Sequence, residues 1–239
     1  MGGYIFTAAV LLVHMTQLRA VFLDLDDTLL TYRRSPGELL TASFAATGED
    51  PFFDVKEYYA IFDDYVGQFT DSRDVRRACF EHLARDHGRN PETGRRVAEA
   101  YAEMRDHTAV DLLPGAIDVV ETLAETYPLA VITNGPAEAQ GKKLAATGLD
   151  EYVDVTVFAG DDASAKPDPE PFERALDAVG VDPAGAIHVG DSLETDVRGA
   201  AVVGIPSVWI GPEDPLDGIV PDYRITGIDA LLDLPLFRA

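Results

Sequence analysis

The feature that most constrains the fold is a regular alternation of short apolar runs and helical segments between Ala116 and Ile210. Strands that are separated by single helices pair in parallel through right-handed crossovers. The pattern therefore predicts an α/β protein with a doubly wound parallel sheet. The predicted strands are 20–25, 129–133, 153–158, 186–190 and 206–210, and the predicted helices are 116–127, 137–147, 169–179 and 194–203.

A helical block interrupts this alternation after the first strand. Between Arg33 and Asp111 there is no convincing strand, and four helical segments follow one another. Ser35-Pro36-Gly37-Glu38 is a capping box with proline at the first helical position, and Asn90-Pro91 is a second start signal. The second helical segment has an apolar and aromatic face that is typical of packing, with substrate contact by one or two of its rings as the alternative. This face consists of Val55, Tyr58, Tyr59, Phe62, Tyr65, Val66 and Phe69. We predict a catalytic core formed by 15–32 and 112–239, with a four-helix domain at 33–111 inserted into it.

The first 14 residues contain an apolar run, Tyr4 to Val13. The run has no basic start and is too short to cross a bilayer, which needs about 20 apolar residues. Met15 is a more natural beginning. We therefore expect residues 1–14 to be a leader from a misassigned start codon or an extra edge element, and we expect no membrane partner.

The charge balance excludes one class of partner. The chain has 42 acidic and 19 basic residues, a formal net charge of -23 and only four lysines. Such a surface repels a nucleic acid polymer. Many carboxylates with few lysines also suggest a surface that stays hydrated in concentrated salt, so we hypothesise a halophilic source, with a merely acidic mesophilic protein as the alternative. The single cysteine, Cys79, cannot form an intramolecular disulfide and fits a reducing cytoplasm.

Polar and charged side chains follow four of the predicted strands. Ligands bind beyond the carboxyl ends of the strands in an open parallel sheet, so these residues predict one site. Converging carboxylates repel one another unless they share a cation, and hard oxygen ligands suit Mg²⁺. For any single acid, a solvated loop remains the alternative. The candidate residues are Asp24, Asp26, Thr133, Asn134, Lys166, Asp191 and Asp196.

These segments resemble, in order, the four motifs of the haloacid dehalogenase-like hydrolase superfamily. The resemblance extends from Arg19 to about Ile210 and implies a sheet with strand order 5-4-1-2-3, and a four-helix cap inserted after the first motif. The matching segments are Asp24-Leu25-Asp26-Asp27-Thr28, Thr133-Asn134-Gly135, Lys166-Pro167-Asp168-Pro169 and Gly190-Asp191-Ser192-Leu193-Glu194-Thr195-Asp196.

The resemblance implies three catalytic roles. Asp24 is expected to be the nucleophile that forms an aspartyl-phosphate. Asp26 is expected to protonate the leaving oxygen and then to activate water, with its backbone carbonyl on the metal. Lys166 is expected to neutralise charge on the nucleophile and on the phosphate that is transferred.

The resemblance also implies the binding residues. Thr133 and the amide of Asn134 are expected to bind phosphate oxygens. Asp24, the carbonyl of Asp26 and Asp191 are expected to hold Mg²⁺, and Asp196 is expected to orient metal-bound water. Three further residues are interpreted without a catalytic role: Asp27 as a turn residue, Asp168 as a helix start and His188 as a core residue.

The presence of Asp26 distinguishes a phosphatase from a dehalogenase of this superfamily. Dehalogenases of this superfamily lack an aspartate two residues after the nucleophile because a halide needs no proton. The sequence therefore predicts a cytoplasmic, Mg²⁺-dependent phosphatase for a small phosphorylated metabolite. A phosphosugar mutase and a non-catalytic phosphate-binding protein remain alternatives. Lys56 in the helical block is interpreted as a solvated lysine rather than as the Schiff-base lysine of a phosphonate-cleaving enzyme.

Overall fold

The structure is a computed structural model that describes residues 18–65, 68–69, 71–161, 163–212 and 218–237, without the side chain of Asp63. The expected leader, residues 1–14, lies outside this range. The strands are β1 (Ala20–Leu23), β2 (Leu30–Tyr32), β3 (Val110–Leu112), β4 (Leu129–Asn134), β5 (Val155–Ala159), β6 (Ala186–Gly190), β7 (Ser207–Ile210) and β8 (Tyr223–Ile225). The α-helices are α1 (Pro36–Thr47), α2 (Val55–Tyr65), α3 (Ser72–Asp86), α4 (Pro91–Met104), α5 (Ala116–Ala124), α6 (Ala137–Thr147), α7 (Glu170–Val179) and α8 (Arg198–Val203).

Six strands form one parallel sheet in the order β5-β4-β1-β6-β7-β8. The strands β1, β4, β5, β6 and β7 correspond to the predicted strands 1 to 5. Read from the β7 side, their order is the predicted 5-4-1-2-3, and β8 adds a sixth strand beyond β7. The doubly wound α/β fold is thus confirmed. The strand β8 was not predicted, because a segment of three residues is too short to show a periodic pattern.

The central position of β1 explains its composition. Val21 is paired with Leu129 on one side and with Ile187 on the other. All four residues of β1 are fully buried. A parallel strand that is covered on both faces needs an uninterrupted apolar run, which is what Ala20–Leu23 supplies. The polar residues that follow it therefore begin where the strand ends.

The chain divides into two compact units. The α/β unit contains the described parts of 1–31 and 110–239, and the helical unit is Tyr32–Ala109. Within the helical unit the side chain of Ser35 accepts a hydrogen bond from the N–H of Glu38, and the Glu38 carboxylate accepts one from the N–H of Ser35. Asn90 caps α4 in the same way, through the N–H of Glu92. Both predicted helix starts are confirmed.

Aromatic rings form the core of the helical unit. Phe80 lies at the centre of this core, with edge contacts to Phe53, Tyr58 and Tyr101 at ring-centroid distances of 4.8, 5.1 and 5.8 Å. The helices α3 and α4 approach each other closely at Gly94, where an added Cβ would lie 2.1 Å from the carbonyl oxygen of Phe80. Only glycine allows this packing distance.

Three local features differ from the sequence predictions. The strands β2 and β3 form a small two-stranded sheet, and β3 begins at Val110, inside a range in which no strand was expected. The predicted helix 194–203 starts instead as a π-helix, Leu193–Val197, before α8. Tyr59, on the face of α2 predicted to be packed, is 50% exposed. Within the described ranges, no helix is long and apolar enough to cross a bilayer.

Candidate active site

Asp24 follows directly after β1 at the carboxyl edge of the sheet. Its N–H donates to the carbonyl oxygen of Val189 in β6 at 2.9 Å, so the backbone continues the sheet pairing for one more residue. The side chain is almost completely buried. Its Oδ1 accepts a hydrogen bond from Lys166 Nζ at 2.7 Å. Asp24 and Lys166, which were both predicted as site residues, are therefore in direct contact.

Lys166 has each of its three ammonium protons matched by an acceptor. Besides Asp24, its Nζ donates to Asp196 Oδ1 at 2.6 Å and to the carbonyl oxygen of Ile132 at 2.7 Å. An ammonium group has three donors, so its position is fixed in all directions. Burial lowers the pKa of Lys166, but the charges of Asp24 and Asp196 outweigh this effect and the pKa is raised. The lysine therefore stays charged.

The side chain of Asn134 holds the segment that carries Lys166. Asn134 Oδ1 accepts from the backbone N–H of Lys166 at 2.8 Å, and Asn134 Nδ2 donates to the Lys166 carbonyl oxygen at 3.0 Å. The carboxamide thus uses both of its ends on the backbone of one residue. The sequence predicted only a phosphate contact for Asn134, and the structure adds this positioning contact.

Asp196 is fixed by three partners. Its Oδ1 accepts from Lys166 and lies 3.0 Å from His188 Nε2, and its Oδ2 accepts from the N–H of Ser192 at 3.1 Å. The carboxylate packs against Gly190, where an added Cβ would lie 2.3 Å from Asp196 Cγ. His188 is fully buried, as its interpretation as a core residue requires. Its contact with Asp196 was not foreseen.

Asp24, Asp191 and Asp196 form an acidic cluster. Each offers one carboxylate oxygen within 4.8 Å of the other two. Burial, opposed by Lys166, raises the pKa of Asp24 to about 7, and burial together with Asp196 raises that of Asp191 to about 6. Asp196 is also desolvated, but Lys166 and His188 lower its pKa.

The raised pKa values of Asp24 and Asp191 bear on whether the acidic cluster fits a metal ion. Lys166 is the one ammonium group that acts on all three carboxylates of this cluster, two of them buried and Asp191 partly buried, so Asp24 and Asp191 lack a full countercharge. A divalent cation would supply that charge, and carboxylate oxygens are the ligands that Mg²⁺ prefers. Trp209 Nε1 donates to the carbonyl oxygen of Asp191 at 2.8 Å and holds the backbone of this residue in place. The donor set therefore fits a hard divalent cation.

Asp26 is held by two residues of α6 that were not predicted. Lys143 Nζ lies 2.7 Å from both carboxylate oxygens of Asp26. Gln140 Nε2 donates to Asp26 Oδ2 at 2.8 Å and to Thr133 Oγ1 at 2.5 Å. Both side chains are buried. Gln140 therefore links the second and the first of the four motifs.

Two signals for these residues were present in the sequence. Gln140 and Lys143 are three positions apart and so share one face of α6. Lys143 is also one of only four lysines in the chain. Neither signal was sufficient, because a lysine in a helix usually extends into solvent.

The remaining residues of the motifs shape the loops. Asp27 has a φ of 58°, its N–H donates to the carbonyl oxygen of Leu30 at 2.7 Å, and its Oδ1 accepts from Thr31 Oγ1 at 2.9 Å. It is a turn residue, as interpreted. Asp168 Oδ1 accepts from the N–H of Glu170 at 3.0 Å, which confirms its place at the start of α7.

Comparison with known proteins identifies relatives of this site and fold. Residues 18–204 match the family model described as haloacid dehalogenase-like hydrolase. The phosphoserine phosphatase of Thermus thermophilus is 36% identical over 63% of this chain, and the match spans 61% of that relative's length. The pyrophosphatase PpaX of Halalkalibacterium halodurans is 31% identical over 91% of this chain and 97% of its own. A solved 2-haloacid dehalogenase from Pseudomonas syringae is 28% identical, with a TM-score of 0.64 over 90% of this chain and 97% of its own.

Proposed function

Because the chain belongs to the haloacid dehalogenase-like hydrolases, we propose that it is a phosphatase that hydrolyses a small phosphomonoester through a phosphoryl group on Asp24. The phosphatases among its relatives support the reaction class. Those relatives are named for different substrates, so their names do not select one for this chain.

The observation that carries the proposal is the environment of Asp24. This carboxylate lies at the end of the central strand and is bound by a lysine that has all three protons engaged. A buried nucleophile that approaches an anionic phosphate needs fixed positive charge beside it. Lys166 supplies that charge without having to reorganise, since both its ammonium group and its backbone are held in place.

In the proposed first step, a carboxylate oxygen of Asp24 attacks phosphorus and the bond to the leaving oxygen breaks. Asp26 gives its proton to that oxygen. In the second step water attacks phosphorus and gives a proton to Asp26, while the bond between phosphorus and the Asp24 oxygen breaks and phosphate is released. Thr133 Oγ1 and the backbone N–H of Asn134 donate to the phosphate oxygens. The Asn134 side chain acts separately, because it holds the segment of Lys166.

Lys143 and Gln140 are positioning residues for Asp26 in this scheme. A lysine contact to both oxygens and an amide contact to one of them restrict the rotation of the Asp26 carboxylate. Proton transfer requires hydrogen-bond distance to the leaving oxygen, so a carboxylate with one preferred orientation performs it more often. Gln140 aligns Thr133 Oγ1 in the same way.

We assign the Mg²⁺ ligands to Asp24, Asp191 and the backbone carbonyl of Asp26. When it is bound, the ion offsets the repulsion between an anionic nucleophile and an anionic substrate. Asp196 is better suited to orienting than to direct ligation, because both of its oxygens already accept protein hydrogen bonds.

We propose that the helical block, predicted as 33–111, acts as the cap that limits which substrates reach the site. The acidic surface suits a cytoplasm rich in salt, and the buried free thiol of Cys79 fits a reducing compartment. Burial raises the pKa of this thiol to about 11, which makes it unreactive at neutral pH.

The 2-haloacid dehalogenase among the similar structures gives a second candidate activity. Asp26 disfavours this activity, since a departing halide needs no proton. A dehalogenase would therefore not need the contacts by which Gln140 and Lys143 orient Asp26. A phosphosugar mutase needs the same residues as a phosphatase and differs in the acceptor of the phosphoryl group.

The test is the hydrolysis of p-nitrophenyl phosphate by the wild type and by Asp24→Asn, with and without Mg²⁺. We expect turnover only by the wild type with the metal, and no chloride release from 2-chloropropionate. Incubation with a sugar monophosphate and a catalytic amount of its bisphosphate distinguishes a mutase, which would produce an isomer in place of free phosphate. Phosphate release by Asp24→Asn at the wild-type rate would contradict the proposal.

A further inference from the structure

His188 lies in the middle of β6, a strand that pairs with the central strand β1. All five residues of β6 are buried, and the other four are apolar. His188 is paired with Phe22 of β1 on one side and with Ser207 of β7 on the other. A parallel strand in this position normally has an uninterrupted apolar run, because a buried polar group is costly unless it is hydrogen-bonded. We therefore expect a hydrogen-bond partner for this ring within the α/β unit.

The partner of the ring is Asp196. His188 Nε2 lies 3.0 Å from Asp196 Oδ1, and both side chains are buried. Positions 188 and 190 lie on the same face of β6, because successive residues of a strand alternate between its faces. Gly190 leaves room there for the carboxylate, since a Cβ would lie 2.3 Å from Asp196 Cγ. The ring of Phe172 packs edge-on against His188 at a centroid distance of 5.0 Å, which fixes the plane of the imidazole.

The proton of this contact belongs to the histidine. Lys166 Nζ donates to Asp196 Oδ1, and the N–H of Ser192 donates to Asp196 Oδ2. Burial raises the pKa of Asp196, but Lys166 and His188 outweigh this effect and lower the pKa, so the carboxylate stays ionised. An ionised carboxylate only accepts hydrogen bonds. His188 Nε2 must therefore carry a proton and donate it to Asp196.

The ring makes this contact without adding a second positive charge. Burial lowers the pKa of His188, although the contact with Asp196 opposes the shift, so the ring is neutral at neutral pH. Among the residues that the structure describes, Nδ1 has no hydrogen-bond partner, which agrees with a ring whose proton is on Nε2. A neutral donor leaves the negative charge of Asp196 available to the ammonium group of Lys166.

We propose that His188 is a positioning residue for the phosphatase reaction, because its Nε2–H holds the Asp196 carboxylate in the orientation that fixes the ammonium group of Lys166. Lys166 Nζ lies 2.6 Å from Asp196 Oδ1 and 2.7 Å from Asp24 Oδ1. A hydrogen bond to an ionised carboxylate is stronger than one between neutral groups, so its loss lets the carboxylate turn. The inference rests on the proposed function, in which Lys166 neutralises charge beside the nucleophile.

Three variants test the effect on turnover. Leucine in His188→Leu fills the site without a donor, whereas the amide N–H of His188→Gln can take the place of Nε2–H. A displaced ammonium group stabilises the transferred phosphoryl group less, so we expect kcat for p-nitrophenyl phosphate to fall by about tenfold or more in His188→Leu. His188→Gln should retain kcat within about threefold, since one neutral donor replaces another.

Ile187→Val is the control for packing. It shortens a buried side chain of the same strand and should change kcat by less than about twofold, because such a truncation leaves only a small cavity. Rates are compared per folded protein, as judged by circular dichroism. If His188→Leu does not fold, His188→Asn replaces it, because the amide of asparagine is one methylene shorter than that of glutamine and does not reach Asp196.

The tautomer of His188 is measured without turnover. The chain has five histidines, and in protein labelled with ¹⁵N-histidine the ring signals of His188 are assigned by their loss in His188→Gln. We expect a protonated Nε2. An unprotonated Nε2 would overturn the inference, because the ring could then not donate to Asp196.

The effect on Lys166 is measured through its ammonium signal in protein labelled with ¹⁵N-lysine. Lys143 and Lys166 are the buried lysines of the described chain, and the signal of Lys143 is identified by its loss in Lys143→Met. The signal of Lys166 should shift or disappear in His188→Leu and stay in place in His188→Gln and Ile187→Val. A merely structural role of His188 would not separate leucine from glutamine in this way, so an unchanged signal in His188→Leu would overturn the inference.

The kinetic result can also contradict the inference. Equal values of kcat for His188→Leu and His188→Gln would overturn it, whether both variants match the wild type or both are impaired. If the wild type hydrolyses no phosphate ester, the proposed function has failed. The two spectroscopic measurements then decide by themselves whether His188 holds Asp196 and Lys166 in place.

Discussion

The charges of the site depend on one another at the scale of single residues. Lys166 is shared between Asp24 and Asp196, and Asp191 lies in the same cluster with a raised pKa. Removing any one member changes the charge that its neighbours experience. Lys143 and Asp26 form a second pair, in which the lysine is buried and the carboxylate is about one third exposed. The two pairs can therefore be tested separately.

We predict that Lys143→Met impairs general acid catalysis by Asp26. Loss of the ammonium group frees the Asp26 carboxylate, which should impair proton delivery to the leaving oxygen. General acid catalysis typically contributes about 10²- to 10⁴-fold, and we expect kcat for an alkyl phosphate to fall by about tenfold or more. The value for p-nitrophenyl phosphate, whose leaving group needs little protonation, should fall much less.

Lys142→Met is the matched control, because Lys142 is exposed and pairs with Glu138 in the same helix. It should change neither rate by more than about twofold, since exposed ion pairs contribute little. If Lys143→Met reduced both rates equally, Lys143 would have a purely structural role.

The sequence predicted those site residues that lie directly after a strand of the sheet. Asp24 and Asp191 come directly after apolar strands, so their convergence follows from the rule for parallel sheets. Gln140 and Lys143 lie within a helix, where the sequence cannot distinguish a buried lysine from a solvated one. The contact between Asn134 and Lys166 joins residues that are 32 positions apart, and no local pattern reports such a contact.

At the scale of elements, the close packing of α3 and α4 depends on Gly94. We predict that Gly94→Ala destabilises the helical unit by about 1–3 kcal/mol, the usual cost of overpacking. The reason is that the new Cβ would meet backbone atoms, which cannot rotate away as a side chain can. Urea unfolding, followed by far-ultraviolet circular dichroism, measures the change.

Gly141→Ala in α6 is the control, because a Cβ at this position meets nothing within 4 Å. This substitution should stabilise the protein by up to about 1 kcal/mol through helix propensity. If both alanines had the same effect, the close approach at Gly94 would not be a constraint.

The elements that the sequence predicted are those with strong local signals. The capping box of Ser35 and Glu38 is readable because both partners lie within one helical turn. The strands β2 and β3 were missed because three residues show no alternation and their pairing is non-local. The π-helix at 193–197 was taken as an ordinary helix, because its composition is helical and its wider turn has no sequence signature.

At the scale of the whole molecule, the net charge of -23 opposes compaction. Added salt screens this repulsion, and the screening length falls to about 3 Å at 1 M. We predict that the melting temperature rises by several degrees between dilute buffer and molar KCl, on a scale where about 1 kcal/mol corresponds to about 2–4 °C. Differential scanning calorimetry measures this, with sorbitol of equal osmolality as the control. A higher melting temperature in dilute buffer would refute the halophilic hypothesis.

The global architecture could be predicted partly from the residues and partly from the family resemblance. The alternation of strands and helices gives a parallel α/β sheet from the residues alone. The strand order came from the resemblance, since pattern analysis does not fix which strands are neighbours.

The proposed reaction depends on the transfer of the phosphoryl group to Asp24. Its most direct test is rapid acid quenching of the wild type during turnover with Mg²⁺, followed by peptide mass spectrometry. We expect the mass of one phosphoryl group on the peptide that contains Asp24, assigned to this residue by fragmentation, and no such mass in Asp24→Asn. A phosphoryl group on another residue, or steady turnover by the Asp24→Asn variant, would contradict it.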